Sequence, residues 1–467
     1  MRENRTKREL LRDEVSLELI IMIWLFRILM ILTMAAGICR LAALPLRLMS
    51  VDCIVVLGAY AVLLTVLQGI YHACDVSQAR VSELVMSQIL ADLISAGLIY
   101  VGAALYAHRL FNPMRLLAVV AGQILLGVVW SVLSKRRYFS RHRKPRTAVI
   151  CRDQKEYEQL SQTPYFFDKY DVVQVITQLP ENLHALRTQL EGCEVLFALS
   201  IPTAHMHMIA KQCLDMGING YFAPHLGHII MAGAQHKANF TVPLLRVERA
   251  GGHSEYRFFK RAFDILCSAI GLIVLSPVML ATAIAIHAED KGPVFYSQIR
   301  LTKNGREFQI LKFRSMRVNA EKDGVARLAG ENDSRITKVG RFIRACRVDE
   351  LPQLINILRG DMSIVGPRPE RPEIARQYEE ILPEFSLRLQ VKAGLTGVAQ
   401  VYGRYNTEPY NKLQMDLMYI NEMSFLKDLQ LILATVKILF MKESTQGFTE
   451  DQETDTGTEP GRATKSA

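Results

Sequence analysis

The sequence predicts a multi-domain membrane protein: a four-helix transmembrane bundle, a small parallel α/β domain, and an α-rich domain that enters the membrane by a re-entrant helix. Three observations carry this. Four apolar runs of about 20 residues, the length a spanning helix needs, fill the first third of the chain. Short β-branched runs then alternate with helical patterning. A fifth apolar run is interrupted near its middle by Ser276-Pro277 and leads into a densely basic segment. At 467 residues the chain exceeds one ordinary core, so two or three domains are expected.

Residues 1–16 are a charged arm. The first run, LELIIMIWLFRILMILTMAA from Leu17, carries Arg27; VDCIVVLGAYAVLLTVLQGI, LVMSQILADLISAGLIYVGAAL (with Asp92) and MRLLAVVAGQILLGVVWSVL follow, placing the bundle at 17–135. Short polar connectors separate the runs, which excludes a simple signal peptide. Charges inside such spans face the bundle or snorkel to an interface. The run ends in KRRYFSRHRKPR, Lys135 to Arg146, seven cations without an acid, so both ends of the bundle read as cytoplasmic.

Residues 146–245 hold TAVIC, YDVVQVI and EVLFALS as strands and TAHMHMIAKQCLDMGI as a helix, a Rossmann-like pattern. The first strand leads into RDQKEYEQL, which lacks the glycine turn that lets a pyrophosphate approach the backbone, so a dinucleotide site is disfavoured. The domain reads as structural or regulatory. Residues 246–257 form a linker, 258–441 the last domain, and 442–467 a polar, disordered tail. Within the last domain, 263–287 is long enough to span. Simple crossing would carry the basic residues 300–347 outward, which positive charge resists, whereas a helix dipping into one leaflet and returning satisfies both facts. A proline in mid-helix removes a hydrogen bond, so a break is expected at Ser276 and Pro277. The segment LKDLQLILATVKILF near the end is apolar on one side and suits either an interfacial helix or core packing.

The net charge of +10 suits nucleic acid, an anionic membrane or phosphorylated substrates. The densest basic run lies beside a membrane exit, which favours the positive-inside reading and argues against nucleic acid. The eight cysteines are scattered without metal-type spacing and read as reduced thiols, mostly buried.

The chemistry-bearing stretch is RACRVDELPQL, Arg344 to Leu354, where adjacent carboxylates Asp349 and Glu350 precede Pro352 and follow three arginines, Arg344, Arg347 and, just ahead of the stretch, Arg341. The pair suits a capped helix start, with carboxylates near a positive dipole end. It equally suits a nucleophile and a metal ligand facing a phosphate. Its neighbours weigh on the choice. KRAFDI, LSP, GPVFYSQIRLTKNGREFQILKFRSM, RITKVGRFIR, DELPQL, GDMSIVGPRPE, LTGVAQVYGR and LQMDLMYI occur in this order across residues 258–440. This string resembles the bacterial sugar transferases, the monotopic phosphoglycosyl transferases or polyprenyl-phosphate hexose-1-phosphate transferases. The preceding helices and α/β domain resemble the exopolysaccharide-initiating type.

The resemblance implies transfer of a sugar 1-phosphate from a UDP-sugar to undecaprenyl phosphate, with UMP released, at the cytoplasmic face of a bacterial inner membrane. It implies Asp349 as the nucleophile that forms a phosphosugar-aspartyl intermediate, and Glu350 as the ligand of Mg²⁺. Lys312, Arg314, Arg335 and Arg344 would surround phosphate oxygens. Arg368, stiffened between Pro367 and Pro369, would clamp a phosphate. Arg404 and the Lys412/Asp416 pair would form part of the wall, although their i,i+4 spacing also permits a structural ion pair. Arg317, Lys322, Arg327 and Lys338 read as surface or lipid-facing cations. Two departures stand out: Arg347 occupies a position where many relatives carry Ser or Thr, and SRIT replaces a proline-containing version. A non-catalytic nucleotide-sugar sensor and a glycosyltransferase releasing the nucleoside diphosphate are the competing classes. The oligomeric state stays open, a homo-oligomer included.

Overall fold

The computed structural model describes residues 2–41, 51–77, 79–108, 110–163, 165–179, 183–237, 244–247, 249, 254–317, 335–403 and 408–439. The chain divides into two compact units, Met1–Pro224 and His225–Ala467.

The first unit opens with four long helices, α1 (Arg2–Leu41), α2 (Val51–Ile70), α3 (Val81–Ala107) and α4 (Pro113–Arg141). Each holds a stretch long and apolar enough to cross a membrane. They pack in chain order, and α4 returns to α1. Large apolar side chains lie on the outside of these helices and polar ones between them. Trp24, Val62, Leu105 and Leu125 face outward, while Tyr60, Asp92 and Gln123 are buried. The inner polar groups find one another, as buried polar groups must. The Tyr60 hydroxyl donates to Asp92 Oδ1 (3.0 Å) and accepts from Gln123 Nε2 (3.0 Å). Arg27 Nε donates to Gln68 Oε1 (2.9 Å), and Gln68 to Gln88 (3.0 Å). Arg27 and Asp92 therefore each bond to a neighbouring helix. Lys135, the first cation of the basic run, is buried too: it donates to the carbonyls of Val76 (3.0 Å) and Ala79 (2.6 Å), tying down the α2–α3 connector.

A parallel sheet follows, with β1 (Arg146–Ile150), α5 (Gln154–Ser161), α6 (Phe166–Lys169), β2 (Asp171–Ile176), α7 (Leu183–Gln189), β3 (Val195–Ala198), α8 (Thr203–Met216) and β4 (Asn219–Phe222). The strand order is β2-β1-β3-β4. Ala148, Ile150, Leu196 and Ala198 on one sheet face meet Ile209 and Cys213 of α8 in a shared core. At the carboxyl ends of β1 and β3, Glu156 accepts hydrogen bonds from the Arg152 amide (2.7 Å) and the Ser200 hydroxyl.

The second unit comprises α9 (Leu226–Ala232), β5 (Gln235–Lys237), β6 (Leu244–Arg246), α10 (Ser254–Asp290), β7 (Phe295–Leu301), β8 (Glu307–Phe313), α11 (Lys338–Ala345), α12 (Gln353–Arg359), β9 (Met362–Val365), α13 (Pro372–Ile381), β10 (Ala393–Thr396), α14 (Val398–Val401), α15 (Pro409–Asn421) and α16 (Phe425–Leu439). β7 and β8 pair antiparallel, β9 and β10 parallel. The unit begins 20 residues before the sequence-based boundary at 245. The reason is packing: Ile229 of α9 lies in the core of this unit, and Asn421 Nδ2 donates to its carbonyl (2.6 Å). Among the described residues seven cysteines are free thiols, four of them buried.

Ser276 and Pro277 do not end α10, which continues through the proline. Pro277 cannot donate to the Ile273 carbonyl four residues back. The Ser276 hydroxyl takes that place, donating to Ile273 O at 2.7 Å. Helix α10 also lies along the rest of its unit at both ends. Arg261 caps the last carbonyls of α12 (Ile357, 2.6 Å; Leu358, 2.8 Å), Asp264 accepts from the Ile364 amide (3.0 Å), and Glu289 accepts from the first amides of α11 (2.8 and 3.2 Å). The opposite face exposes Ile265, Leu266, Ile270, Ile273, Val274, Leu280 and Ile284.

Asn356 of α12 locks that helix to β8. Fully buried, it accepts from the Leu311 amide (2.9 Å) and donates to the Gln309 carbonyl (2.8 Å), standing in for a third strand. Asn356→Leu strands both backbone groups, and about 2 kcal/mol or more of stability is expected to be lost. A fall in melting temperature in detergent checks this; an unchanged melting temperature refutes it.

Candidate active site

The acidic pair lies on a single 3₁₀ turn, Val348–Glu350, between α11 and α12. Arg347 precedes it in the left-handed region (φ +55°), sparsely populated by residues with a β-carbon, and reverses the chain there. Helix α12 starts without a side-chain cap, so capping is not what the two carboxylates do.

Glu350 is the anchored member. Its Oε1 accepts from Lys312 Nζ on β8 (3.0 Å) and Arg368 Nη2 (3.1 Å), with Arg347 Nη1 at 3.8 Å. Burial opposes its charge, but Lys312, Arg368 and Arg347 outweigh burial and hold its carboxyl well below the usual range. Asp349 is 9% exposed, and its Oδ1 has no hydrogen-bond partner. Burial first, then the charge of Glu350, push its proton affinity up against Lys312, Arg347 and Arg344. The two carboxylates are thereby split into a fixed anion and one with lone pairs to spare.

The Pro367–Pro369 segment earns its rigidity from its carbonyls as well as its rings. Pro367 O accepts from the Gly394 amide (2.9 Å), Arg368 O from Arg388 Nη2 (2.9 Å) and Pro369 O from Arg300 Nη1 (3.1 Å). All three are held, so Arg368 reaches Glu350 from a fixed base. The approach of β9 to β10 requires small residues: a β-carbon on Gly394 would lie 2.1 Å from the Gly366 amide nitrogen.

Behind this wall is a buried ionic network. Arg388, 2% exposed, donates to Asp416 (2.7 and 2.8 Å) and pairs with Glu370 (3.4 Å), which also pairs with Lys412. Burial raises the Asp416 carboxyl and lowers the Lys412 ammonium; at Glu370 burial is outweighed by Lys412 and Arg388, which hold the carboxyl down. Lys412 and Asp416 thus share a network but bond to different partners, because Arg388 takes the aspartate.

The other sequence-predicted residues fall as follows. Arg314 is buried against Asp290 at the end of α10, with room provided by Gly292, and does not join Glu350. Arg344 is half-buried and acts on Asp349 through its charge. Arg335 accepts at its backbone from the Arg317 amide (2.9 Å). Arg404, Lys322 and Arg327 lie outside the described residues.

A small cleft open to solvent adjoins the pair and is lined by Lys312, Glu350 and Arg368 together with Arg300, Gln353 and Gln400. The last three carried no assignment in the sequence reading. They sit inside the quoted motifs, and only the folding of β7, α12 and α14 onto one spot brings them together. Arg300 is largely desolvated, which lowers its guanidinium to about 10, still charged at neutral pH.

Residues 255–442 match the family model described as Bacterial sugar transferase. The chain is 41% identical over 187 residues to an Aeromonas hydrophila UDP-N-acetylgalactosamine-undecaprenyl-phosphate N-acetylgalactosaminephosphotransferase, the match covering 39% of this chain and 44% of that protein. It is 42% identical over 201 residues to an Escherichia coli UDP-glucose:undecaprenyl-phosphate glucose-1-phosphate transferase, covering 42% of each. A Caulobacter vibrioides protein named for the same glucose transfer is 40% identical over 190 residues, 40% of this chain and 71% of that protein. The match therefore spans less than half the length of the first two relatives and most of the third.

Proposed function

The chain belongs to the bacterial sugar transferase family, and on that premise we propose that it transfers a sugar 1-phosphate from a UDP-sugar to undecaprenyl phosphate, releasing UMP and starting lipid-linked assembly of an exopolysaccharide, capsule or O-antigen. The observation that carries this is the buried, unpartnered Asp349 carboxylate beside a Glu350 held by three cations. An isolated surface carboxylate would repel a diphosphate; one among Lys312, Arg347, Arg368 and Arg344 does not.

In this reading Asp349 attacks the sugar-bearing phosphorus. An Asp349–phosphorus ester bond forms, the bond to the UMP oxygen breaks, and UMP leaves with that electron pair. An oxygen of undecaprenyl phosphate then attacks the same phosphorus and frees the carboxylate. Lys312 and Arg368 neutralise charge on the phosphate oxygens.

Mg²⁺ fits these residues. Among the described residues no cluster of three or more Asp, Glu, His or Cys could hold a metal. Mg²⁺, however, typically rests on one or two carboxylates and substrate phosphates, and a bare Asp349 oxygen beside Glu350 offers that. Glu350 would hold the ion, whose charge would screen the diphosphate.

The four leading helices would form a transmembrane bundle with both ends cytoplasmic, continuing into a Rossmann-like domain, and 258–441 would form the catalytic domain. Helix α10 would rest in one leaflet. A spanning helix puts its ends on opposite sides, whereas Arg261 and Glu289 at the two ends of α10 both bond to the same unit. The exposed apolar stripe of α10 would face lipid and bring the acceptor phosphate to Asp349 at the inner leaflet.

The test is incubation of the purified protein with UDP-sugars and undecaprenyl phosphate. UMP release that EDTA stops and Mg²⁺ restores is the expected result. Release of UDP would instead identify transfer of the sugar without its phosphate.

A further inference from the structure

We infer that the side-chain oxygen of Gln400 recognises a hydroxyl group of the transferred hexose. The inference rests on the proposed function and deepens it. Gln400 Nε2 donates to the Leu395 carbonyl at 2.8 Å. A carbonyl only accepts, so that contact fixes which end of the amide is the NH₂ and leaves Oε1 as an acceptor aimed elsewhere. Oε1 is buried and has no partner. A native fold rarely leaves such an atom bare, and the cleft supplies the place where a ligand would satisfy it.

The position selects the hexose over the uracil. Gln400 lines the same cleft as Lys312, Glu350 and Arg368, the groups that face phosphate. The hexose is joined to the reacting phosphorus through one oxygen, whereas the uracil is removed from it by a further phosphate and a ribose. Only glycine fits at residue 397, where a β-carbon would lie 2.3 Å from the Gly366 carbonyl oxygen and 3.1 Å from Oε1. Arg300, half-buried with a buried and unpartnered Nε, lines the same cleft and adds a donor. An acceptor and a donor over the apolar wall of Leu395 and Ile310 suit a ring that bears hydroxyl groups.

The experiment measures binding of UMP, UDP-glucose, UDP-galactose and their singly deoxygenated analogues to the full chain in detergent by calorimetry, without acceptor lipid. For the wild type, one deoxy analogue is expected to bind about tenfold more weakly than its parent, because Oε1 is then left unpaired. In Gln400→Leu and Gln400→Met that difference disappears, the parent falls to the level of the analogue, and UMP affinity is unchanged. The inference is overturned if no deoxy analogue is weakened in the wild type. It is also overturned if the variants weaken parent, analogues and UMP by one common factor, the mark of a structural role. Because binding is read separately from UMP release, an inactive protein that still discriminates the analogues would refute the proposed reaction and leave the hydroxyl contact standing.

Discussion

Asp349→Asn is expected to reduce UMP release at least about a thousandfold and to abolish the phosphosugar adduct on the intact protein seen by mass spectrometry. The change keeps shape and volume while removing the attacking lone pairs. Its specificity comes from the unequal treatment of the two carboxylates. Asp349 is the member whose charge the fold disfavours, through burial and through Glu350. A neutral amide relieves both, so the melting temperature is expected to hold or rise. Loss of turnover without loss of fold assigns the defect to chemistry. Lys427→Ala, which removes an exposed pair with Glu422, serves as the control and should leave activity and stability nearly unchanged. Retention of wild-type turnover by Asp349→Asn would remove the basis of the proposed reaction.

Arg388→Met is expected to be the most damaging substitution to the fold of the second unit, at about 3–5 kcal/mol, because it leaves Asp416 and Glu370 charged, buried and without their shared cation. The damage reaches the site along a defined route. Arg388 Nη2 also holds the Arg368 carbonyl, so protein that still folds should bind nucleotide sugar less tightly as Arg368 loses its base. The double replacement Arg388→Met with Asp416→Leu removes the cation together with its principal anion and should recover part of the stability. Thermal unfolding in detergent measures both effects; equal melting temperatures for wild type and Arg388→Met would refute the network's role.

Much of this organisation is legible in the sequence because it depends on local pattern. Four apolar runs of spanning length announce four helices, and short β-branched runs alternating with helical patterning announce a parallel sheet. The acidic pair and Lys312 are likewise legible, since DELPQL and KFRSM stand out as motifs. What is not legible depends on distant partners. Lys412 and Asp416 have the spacing of a helical ion pair, yet Arg388, 28 residues before Asp416, displaces it. Arg314 belongs to a basic motif, but Asp290 from the end of α10 claims it. Asn356 looks like an ordinary polar residue in a helix until β8 is laid against it. At Ser276-Pro277 local propensity predicts a stop, and a side-chain hydroxyl one residue away repairs the missing bond. The alternation of strand and helix patterns carries the α/β domain to residue 245, whereas packing assigns α9 to the second unit.

The carboxylate of Glu156 bears on what the α/β domain can receive. In open parallel sheets the crevice where strand order reverses, here between β1 and β3, is the customary seat of nucleotide phosphates. In this chain a main-chain amide and a serine hydroxyl at that seat are already occupied by an anion from the domain itself. An incoming phosphate would meet a like charge and would have to evict it. The two donors at this seat are thus satisfied from within the domain, by one of its own carboxylates.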